Sequence, residues 1–217
     1  MNQIRILVAD DHEVVRRGIR DLLEERANWK VVGEAVTGRE AVEKTKELNP
    51  EIIIMDLAMP GLNGLEATRE IVRVAPQANV LILTVHESED LAQEVLAAGA
   101  HGYIFKSDAG RDLLNAVEAL SENKPFFTAR IANMVLETFR KRDFEGKGKS
   151  GSGVLTSRER QVLQLLAEGK NNRKVARDLH ISIKTVEAHR ANIMRKLGIK
   201  SLCGLVHYAI RNKIINP

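Results

Sequence analysis

The stretch Glu51-Ile52-Ile53-Ile54-Met55-Asp56-Leu57-Ala58-Met59-Pro60-Gly61 decides the fold of this chain. Residues 52–55 are apolar without alternation, which is typical of a strand buried on both faces of a parallel sheet. Asp56 ends this run, and a Pro-Gly turn follows shortly after it. Because open α/β sheets bind ligands at the carboxyl ends of their strands, the pattern places Asp56 at a functional edge.

Strand and helix patterns alternate on both sides of this stretch. Further strand patterns occupy residues 4–9, 30–35, 80–84 and 102–105. Helical patterns lie between and after them, at residues 14–26, 38–48, 65–74, 90–98 and 112–120. This alternation predicts a five-stranded parallel α/β sheet with helices on both faces.

Polar side chains end four of the predicted strands: Asp10 with Asp11, then Asp56, Thr84 and Lys106. Three carboxylates that meet at one edge require a cation, and oxygen ligands favour Mg²⁺ where phosphate is also bound. An aspartate beside Mg²⁺, a lysine and a hydroxyl is suited to accept a phosphoryl group. A hydrogen bond from Thr84 to that group would then turn a charge change into a conformational one.

Charge divides the 217-residue chain into two parts. Residues 1–150 carry a net charge of −5, whereas residues 151–217 contain 13 basic and 4 acidic side chains, a net charge of +9. This asymmetry predicts two domains with different partners, the basic one binding nucleic acid. Cys203 is the only cysteine, which excludes an internal disulfide, and we expect no membrane span.

The basic part has the pattern of four short helices. A capping box at residues 156–159 begins the first, a second covers residues 172–179, and Ser182 caps a third that ends before Gly198. A short helix, a tight turn and a longer basic helix predict a helix-turn-helix. Ser201 caps the fourth helix.

The third helix of this part is the predicted recognition helix, the one that would contact the bases. Its outer side would enter the major groove and carries Lys184, Thr185, Glu187, Ala188, Ala191, Asn192 and Arg195. The basic side chains of this region are better suited to contacts with DNA phosphates; they are Lys184, Arg190, Arg195, Lys196 and Lys200.

The acidic pair, Asp56 before Met-Pro-Gly, Thr84 and Lys106 together resemble the receiver domain of two-component response regulators, over about residues 3–122. The resemblance implies a flavodoxin-like sheet of order 2-1-3-4-5, with Asp56 as phosphoacceptor. It also implies one Mg²⁺ held by Asp10, Asp11, Asp56 and the backbone carbonyl of Ala58, with Asp10 or Asp11 acting directly or through water. Thr84 would be the switch hydroxyl, Lys106 the phosphate partner and Tyr103 the switch aromatic.

Two residues depart from the pattern of the receiver family. Ser107 replaces the proline that often follows the lysine, and Val85 stands where alanine or glycine is common. We expect the larger side chain of Val85 to narrow the access to Asp56 and to slow phosphoryl exchange.

The basic part resembles the LuxR-type four-helix output domain over about residues 153–215, through the segments 155–159, 167–170, 182–189 and 196–198. A receiver joined to this domain defines the NarL/FixJ class. The resemblance implies a bacterial cytoplasmic transcription factor that a sensor histidine kinase phosphorylates. It would then dimerise, with the fourth helix of the output domain in contact, and bind paired half-sites in double-stranded DNA. We predict a receiver at residues 1–124 and the DNA-binding domain at residues 154–217. Residues 125–153 connect them, with a helix at 128–142 followed by a flexible Gly/Ser/Lys linker at 145–153.

Two other functions use the same residues. Mg²⁺-dependent aspartyl phosphorylation also serves phosphatases and ATPases, but the basic part has no catalytic constellation and the chain no Gly-rich phosphate loop. We therefore expect a protein that accepts a phosphoryl group and loses it slowly, not a turnover enzyme. The alternative is a phosphorylation-independent transcription factor that uses its receiver as a dimerisation module.

Overall fold

The computed structural model describes residues 3–85, 89–133, 155–212 and 214–215, with the backbone alone at 89 and 90. The chain divides into two compact units, Met1–Gly146 and Lys147–Pro217. This division falls inside the connecting segment predicted at 125–153. The flexible linker predicted at 145–153, and the connecting helix predicted at 128–142 beyond residue 133, lie outside the described residues.

The first unit contains a parallel sheet of six strands in the order β2-β1-β3-β4-β5-β6. In chain order the strands are β1 (Ile4–Ala9), β2 (Trp29–Ala35), β3 (Ile52–Asp56), β4 (Asn79–Thr84), β5 (Gly102–Phe105) and β6 (Phe126–Phe127). The five predicted strands and their order are confirmed. The count of five is corrected to six, because two residues of the predicted connecting segment pair with β5 at the sheet edge.

Five helices with both ends in the described residues flank this sheet: α1 (Glu13–Glu24), α2 (Gly38–Leu48), α3 (Gly64–Val74), α4 (Glu89–Ala97) and α5 (Ala109–Ser121). Side chains cap the N-termini of two of these helices, at the sheet edge that carries the polar residues. The Thr37 side chain accepts a hydrogen bond from the Glu40 N–H at the start of α2. The Asn63 side chain accepts one from the Glu66 N–H at the start of α3. Each cap satisfies an N–H that a helix start leaves unpaired.

Strand β3 lies at the centre of the unit, and all five of its residues are buried. Ile53 and Met55 belong to the hydrophobic core on one face of the sheet. Ile52 and Ile54 belong to the core on the other face. The continuous apolar run is therefore explained by helices that cover both faces of the sheet.

The second unit contains four helices: α6 (Ser157–Ala167), α7 (Asn172–Asp178), α8 (Ile183–Leu197) and α9 (Leu202–Arg211). Thr156 and Glu159 form the predicted capping box at the start of α6. Ser182 and Ser201 cap α8 and α9, and Gly198 ends α8 in the left-handed conformation. The predicted helical domain is confirmed. No helix in the described ranges has both the length and the apolar character that a membrane span needs.

Candidate functional site

The acidic side chains that follow β1 and β3 form a compact cluster. Ligand atoms of Asp10, Asp11, His12 and Asp56 all lie within 4.8 Å of one another. Asp10 and Asp56 are buried, whereas Asp11 and His12 are exposed. The parallel topology thus brings together the three carboxylates that the strand ends predicted to meet.

Lys106 places its ammonium group between the two buried carboxylates. It begins a short 3₁₀ turn, Lys106–Asp108, that leads from β5 into α5. Its Nζ atom lies 2.6 Å from Asp10 Oδ2 and 3.1 Å from Asp56 Oδ2. Two strand ends and the turn after a third therefore meet at one ion-paired centre.

Burial raises the pKa of the Asp56 carboxyl, and the nearby Asp10 and Asp11 carboxylates add to this effect. The positive charge of Lys106 lowers that pKa but does not reverse the upward direction. Burial by itself would lower the pKa of Lys106, but Asp56 and Asp10 outweigh it and the pKa is raised. Lys106 is therefore a cation at neutral pH that favours the ionised form of Asp56.

Several hydrogen bonds fix the position of Asp10. Its N–H donates to the Ala35 carbonyl at 3.1 Å, which continues the pairing of β1 with β2. Its own carbonyl accepts from Arg16 Nη1 at 2.9 Å, and its Oδ1 accepts from the His12 backbone N–H at 2.9 Å. Together with Lys106 on Oδ2, these contacts hold the Asp10 main chain and both carboxylate oxygens.

Gly64, the first residue of α3, allows that helix to approach the end of β3. A Cβ atom at residue 64 would lie 1.9 Å from the backbone oxygen of Asp56, well inside any permitted contact. The Gly64 N–H also donates to the Leu57 carbonyl at 2.9 Å. Only glycine fits there without backbone movement, so Gly64 helps to set the position of Asp56. The sequence pattern alone did not indicate this role of Gly64.

His12 is the member of the cluster that the sequence analysis missed. Its Nδ1 lies 2.8 Å from Asp11 Oδ1 and 3.1 Å from Asp10 Oδ1. The sequence shows a histidine directly after two aspartates, but without a second histidine nearby the pattern indicated oxygen ligands alone.

The donor set fits Mg²⁺. Asp10, Asp11 and Asp56 offer the anionic oxygens that this ion prefers. Lys106 alone does not balance three carboxylates, so the cluster keeps an excess of negative charge that a divalent cation would neutralise. Ala58, whose carbonyl was predicted as a further ligand, lies buried in the loop two residues after Asp56.

The residues predicted to switch lie on β4 and β5, the two strands that follow β3 in the sheet. Thr84 is fully buried at the end of β4, and the following Val85 is 62% exposed. Tyr103 and Phe105 on β5 are both buried, with their ring centroids 5.8 Å apart. The Tyr103 ring thus lies in the core of the first unit.

The start of the predicted connecting segment packs on β5. Tyr103 is the register partner of Phe127 on β6. Ile131 is fully buried in the same core cluster as Tyr103 and Phe105. The guanidinium carbon of Arg130 lies 4.9 Å from the centroid of the Phe105 ring, a cation–π contact. Residues 126–133 are therefore part of the first unit, and residues 129–133 are helical, at the start of the connecting helix predicted at 128–142.

Helices α7 and α8 form the predicted helix-turn-helix. Val186 and Ile193 are fully buried against the other helices, which leaves the opposite side of α8 to solvent. The predicted contacts Lys184, Thr185, Glu187, Ala188, Ala191, Asn192 and Arg195 are all exposed, as is Lys200, whereas Arg190 and Lys196 are partly buried. The exposed side of α8 thus carries most of the predicted DNA-binding residues.

Lys196 differs from the other predicted DNA contacts. Its Nζ lies 2.6 Å from Glu159 Oε2, and the Glu159 side chain is only 5% exposed. The same oxygen accepts the Thr156 N–H at 2.8 Å. Lys196 therefore joins the end of α8 to the start of α6, an intradomain role that the helical pattern did not reveal.

Both units match known families. Residues 6–118 match the response regulator receiver domain, and residues 153–209 match the bacterial regulatory proteins of the luxR family. The chain belongs to the response regulators of the NarL/FixJ class, which join these two domains. DNA-binding transcription regulation in two-component systems is accordingly its function, and the family is one of regulators, not of turnover enzymes.

Similarity to curated relatives extends over almost the whole chain. The transcriptional regulatory protein LiaR of Bacillus subtilis is 37% identical over 213 residues, which cover 98% of this chain and 100% of LiaR. The oxygen regulatory protein NreC of Staphylococcus aureus is 36% identical over 215 residues, which cover 98% of this chain and 99% of NreC.

Solved structures of RcsB are also similar to this chain. One RcsB response regulator of Salmonella typhimurium has a TM-score of 0.69 at 29% identity, covering 96% of this chain and 97% of RcsB. An RcsB from Salmonella enterica serovar Typhimurium, bound to promoter rprA in the presence of the phosphomimetic BeF3⁻, has a TM-score of 0.67 at 28% identity. That match covers 95% of this chain and 98% of RcsB.

Proposed function

We propose that Asp56 accepts a phosphoryl group from a sensor histidine kinase and that this event controls DNA binding. The observation that carries the proposal is the position of Lys106 Nζ, 2.6 Å from Asp10 and 3.1 Å from Asp56 at the shared sheet edge. A lysine placed in this way would neutralise the phosphoryl oxygens as they arrive. The protein would act in the bacterial cytoplasm, where kinase and DNA are both accessible.

The chemistry follows from the residues of the cluster. An oxygen of ionised Asp56 attacks the phosphorus of a phosphohistidine, so that a P–O bond forms while the P–N bond breaks and the imidazole leaves. Lys106 favours the ionised form of Asp56 against the effect of burial, which still leaves the pKa of Asp56 raised, and Lys106 then pairs with the phosphoryl oxygens. Mg²⁺ held by Asp10, Asp11 and Asp56, with the Ala58 carbonyl, would supply the remaining positive charge. Hydrolysis of the acyl phosphate would return Asp56 slowly to its free state.

The output follows from the neighbours of the centre. We propose that the hydroxyl of Thr84 donates to the new phosphoryl group and that Tyr103 adjusts with it. β5 joins this region to β6 and to Ile131, so a shift there would reach the connecting segment directly. Phosphorylation would then favour one of two existing arrangements of the receiver surface, a population shift towards a homodimer.

In the second unit, the exposed side of α8 would read bases in the major groove, and its basic side chains would contact phosphates. The α9 helix would contact its copy in a dimer on paired half-sites. Structures of RcsB bound to DNA, including one with two RcsB dimers on two parallel DNAs, support DNA binding by a dimer.

The first experiment measures phosphoryl incorporation by mass spectrometry after incubation with Mg²⁺ and acetyl phosphate. We expect one phosphoryl group on the wild type and none on Asp56→Asn. Asp21→Asn serves as the matched control, because Asp21 is an exposed aspartate outside the cluster. Incorporation into Asp56→Asn at the wild-type level would refute the assignment.

The second experiment measures molecular mass in solution and DNA affinity, with Mg²⁺, before and after addition of beryllofluoride. We expect a monomer to become a dimer and the affinity for promoter DNA to rise. Equal DNA affinity of the phosphorylated wild type and Asp56→Ala would instead support the phosphorylation-independent alternative.

A further inference from the structure

We propose that Arg16 is a positioning residue for the acidic cluster, acting through the backbone of Asp10 and anchored by Glu34. The inference rests on the proposed function, since it concerns the carboxylates that would hold Mg²⁺. Within the part of the chain that the structure describes, the hydrogen-bond partners of the Arg16 side chain are a main-chain oxygen and a glutamate on β2, not a carboxylate of the cluster.

The geometry of Arg16 is that of a bridge. Its side chain leaves α1 and is 11% exposed. Nη1 donates to the Asp10 carbonyl at 2.9 Å, and Nε donates to Glu34 Oε2 at 3.0 Å. Because the guanidinium group is planar, the directions of these two donors are fixed relative to each other. By holding Nε, Glu34 therefore helps to fix the orientation of Nη1, the donor to the Asp10 carbonyl.

The carbonyl that Arg16 holds belongs to the peptide unit between Asp10 and Asp11. That unit is planar, so its orientation affects the main chain from which both carboxylates extend. The N–H of Asp10 is still paired with β2, through the Ala35 carbonyl at 3.1 Å. Beyond this point, Arg16 holds the Asp10 carbonyl while the His12 N–H and Lys106 hold the carboxylate, so that Arg16 helps to keep the acidic pair aligned with the cluster.

A purely electrostatic role of Arg16 predicts the opposite result on substitution. A positive charge near a cation site weakens cation binding, so loss of the charge alone would tighten Mg²⁺ binding. Loss of a positioning contact would weaken it, because groups that orient metal ligands typically contribute about 10–100-fold to affinity. The sign of the change therefore distinguishes the two roles.

Arg20 provides the matched control. It lies one turn further along α1, pairs with the same Glu34 carboxylate and is 44% exposed. Arg20→Ala removes the same charge from the same helix and a partner of the same glutamate. It leaves the hydrogen bond from Arg16 to Asp10 in place.

The experiment measures the Mg²⁺ affinity of the full chain by isothermal titration calorimetry. We expect Arg16→Ala to bind Mg²⁺ about tenfold or more weakly than the wild type, and Arg20→Ala to bind it equally or more tightly. Arg16→Lys should also bind more weakly, because an ammonium group keeps the charge but not the fixed pair of donors. Melting curves without Mg²⁺ show whether each variant is folded, and Arg16→Lys decides if Arg16→Ala is not.

Two results overturn the proposal. Mg²⁺ affinity of Arg16→Ala equal to or above that of Arg20→Ala would show that Arg16 acts by charge or not at all. Wild-type affinity in Arg16→Lys would show that the fixed geometry is unnecessary. If the wild type itself bound no Mg²⁺ and accepted no phosphoryl group, the proposed function would be wrong. If the wild type did both and only the results for the Arg16 variants differed from expectation, the role of Arg16 alone would be wrong.

Discussion

Replacement of Lys196 by methionine tests whether its ion pair with Glu159 stabilises the second unit. Methionine keeps much of the aliphatic length but removes the ammonium group that lies 2.6 Å from Glu159 Oε2. The Glu159 carboxylate, which is 5% exposed, still accepts the hydrogen bond from the Thr156 N–H but loses its charged partner Lys196. We expect the free energy of unfolding of the second unit to fall.

The magnitude follows from the exposure of the two partners. Breaking a fully buried ion pair costs about 3–5 kcal/mol, and a hydrogen bond to a charged group contributes about 1.5–3 kcal/mol. Lys196 is 25% exposed, so solvent screens part of the interaction. We therefore expect a loss of about 1–2 kcal/mol, which corresponds to a change of about 5–30-fold in the opening equilibrium.

Hydrogen exchange of the full chain, followed by mass spectrometry, measures this loss separately in each unit. Peptides from α6 and α8 in Lys196→Met should exchange about 5–30-fold faster than in the wild type. Lys200→Met is the control, because Lys200 carries the same charge nearby but is exposed. Equal exchange in the two variants would refute the structural role of Lys196.

The same ion pair predicts a dependence on pH. Burial raises the pKa of Glu159, but the hydrogen bonds from Lys196 and Thr156 outweigh it and bring the pKa below its ordinary value of 4.5. A carboxyl with a lowered folded-state pKa stabilises the fold above its unfolded pKa, and this contribution is lost as the pH falls through the folded value. The difference in the free energy of unfolding between wild type and Lys196→Met should be largest at neutral pH and should decrease below about pH 4.5. A difference that is constant with pH would exclude the ion pair as its cause.

Four further predictions concern both units. Gly64→Ala should slow phosphorylation by acetyl phosphate about tenfold or more, since a displacement of about 1 Å at a reacting group can cost about 10²-fold; Gly110→Ala, with open space at its Cβ position, should not. Ile131→Ala should cost the first unit about 2–5 kcal/mol in urea unfolding, because its fully buried side chain leaves a cavity. Val85→Ala should shorten the lifetime of the phosphorylated protein, and equal lifetimes would contradict a role in access. Lys184→Ala should weaken binding to all DNA sequences similarly and reduce the salt slope by about one.

The sequence predicted the elements of the sheet well where burial is continuous. Ile52 to Met55 gave a clear pattern because helices cover both faces of β3. The strand β6 was not predicted, because its two residues, Phe126 and Phe127, are too few to show the alternation of apolar and polar residues that indicates a strand. Their strand character comes from pairing with β5, more than twenty positions earlier, and no local pattern records it.

The site shows the same division between local and distant causes. Asp10, Asp56 and Lys106 were predictable because each ends a strand or follows one directly, and the parallel topology alone brings strand ends together. The contacts that support them were not. Helical spacing showed that Lys196 is not a core residue, but it could not indicate an ion pair with a glutamate 37 positions earlier.

Strand β5 is where the acidic cluster and the connecting segment meet. Its last residue, Phe105, is the register partner of Thr84 on β4 and carries Arg130 over its ring, and Lys106 follows it in the chain. Tyr103, two positions earlier, is the register partner of Phe127. If Thr84 moves towards a phosphorylated Asp56 as proposed, the displacement crosses one strand pair to reach β5. Because the core around β5 is fully buried, such a shift must be taken up by repacking, and residues 126–133 are among the neighbours that would repack.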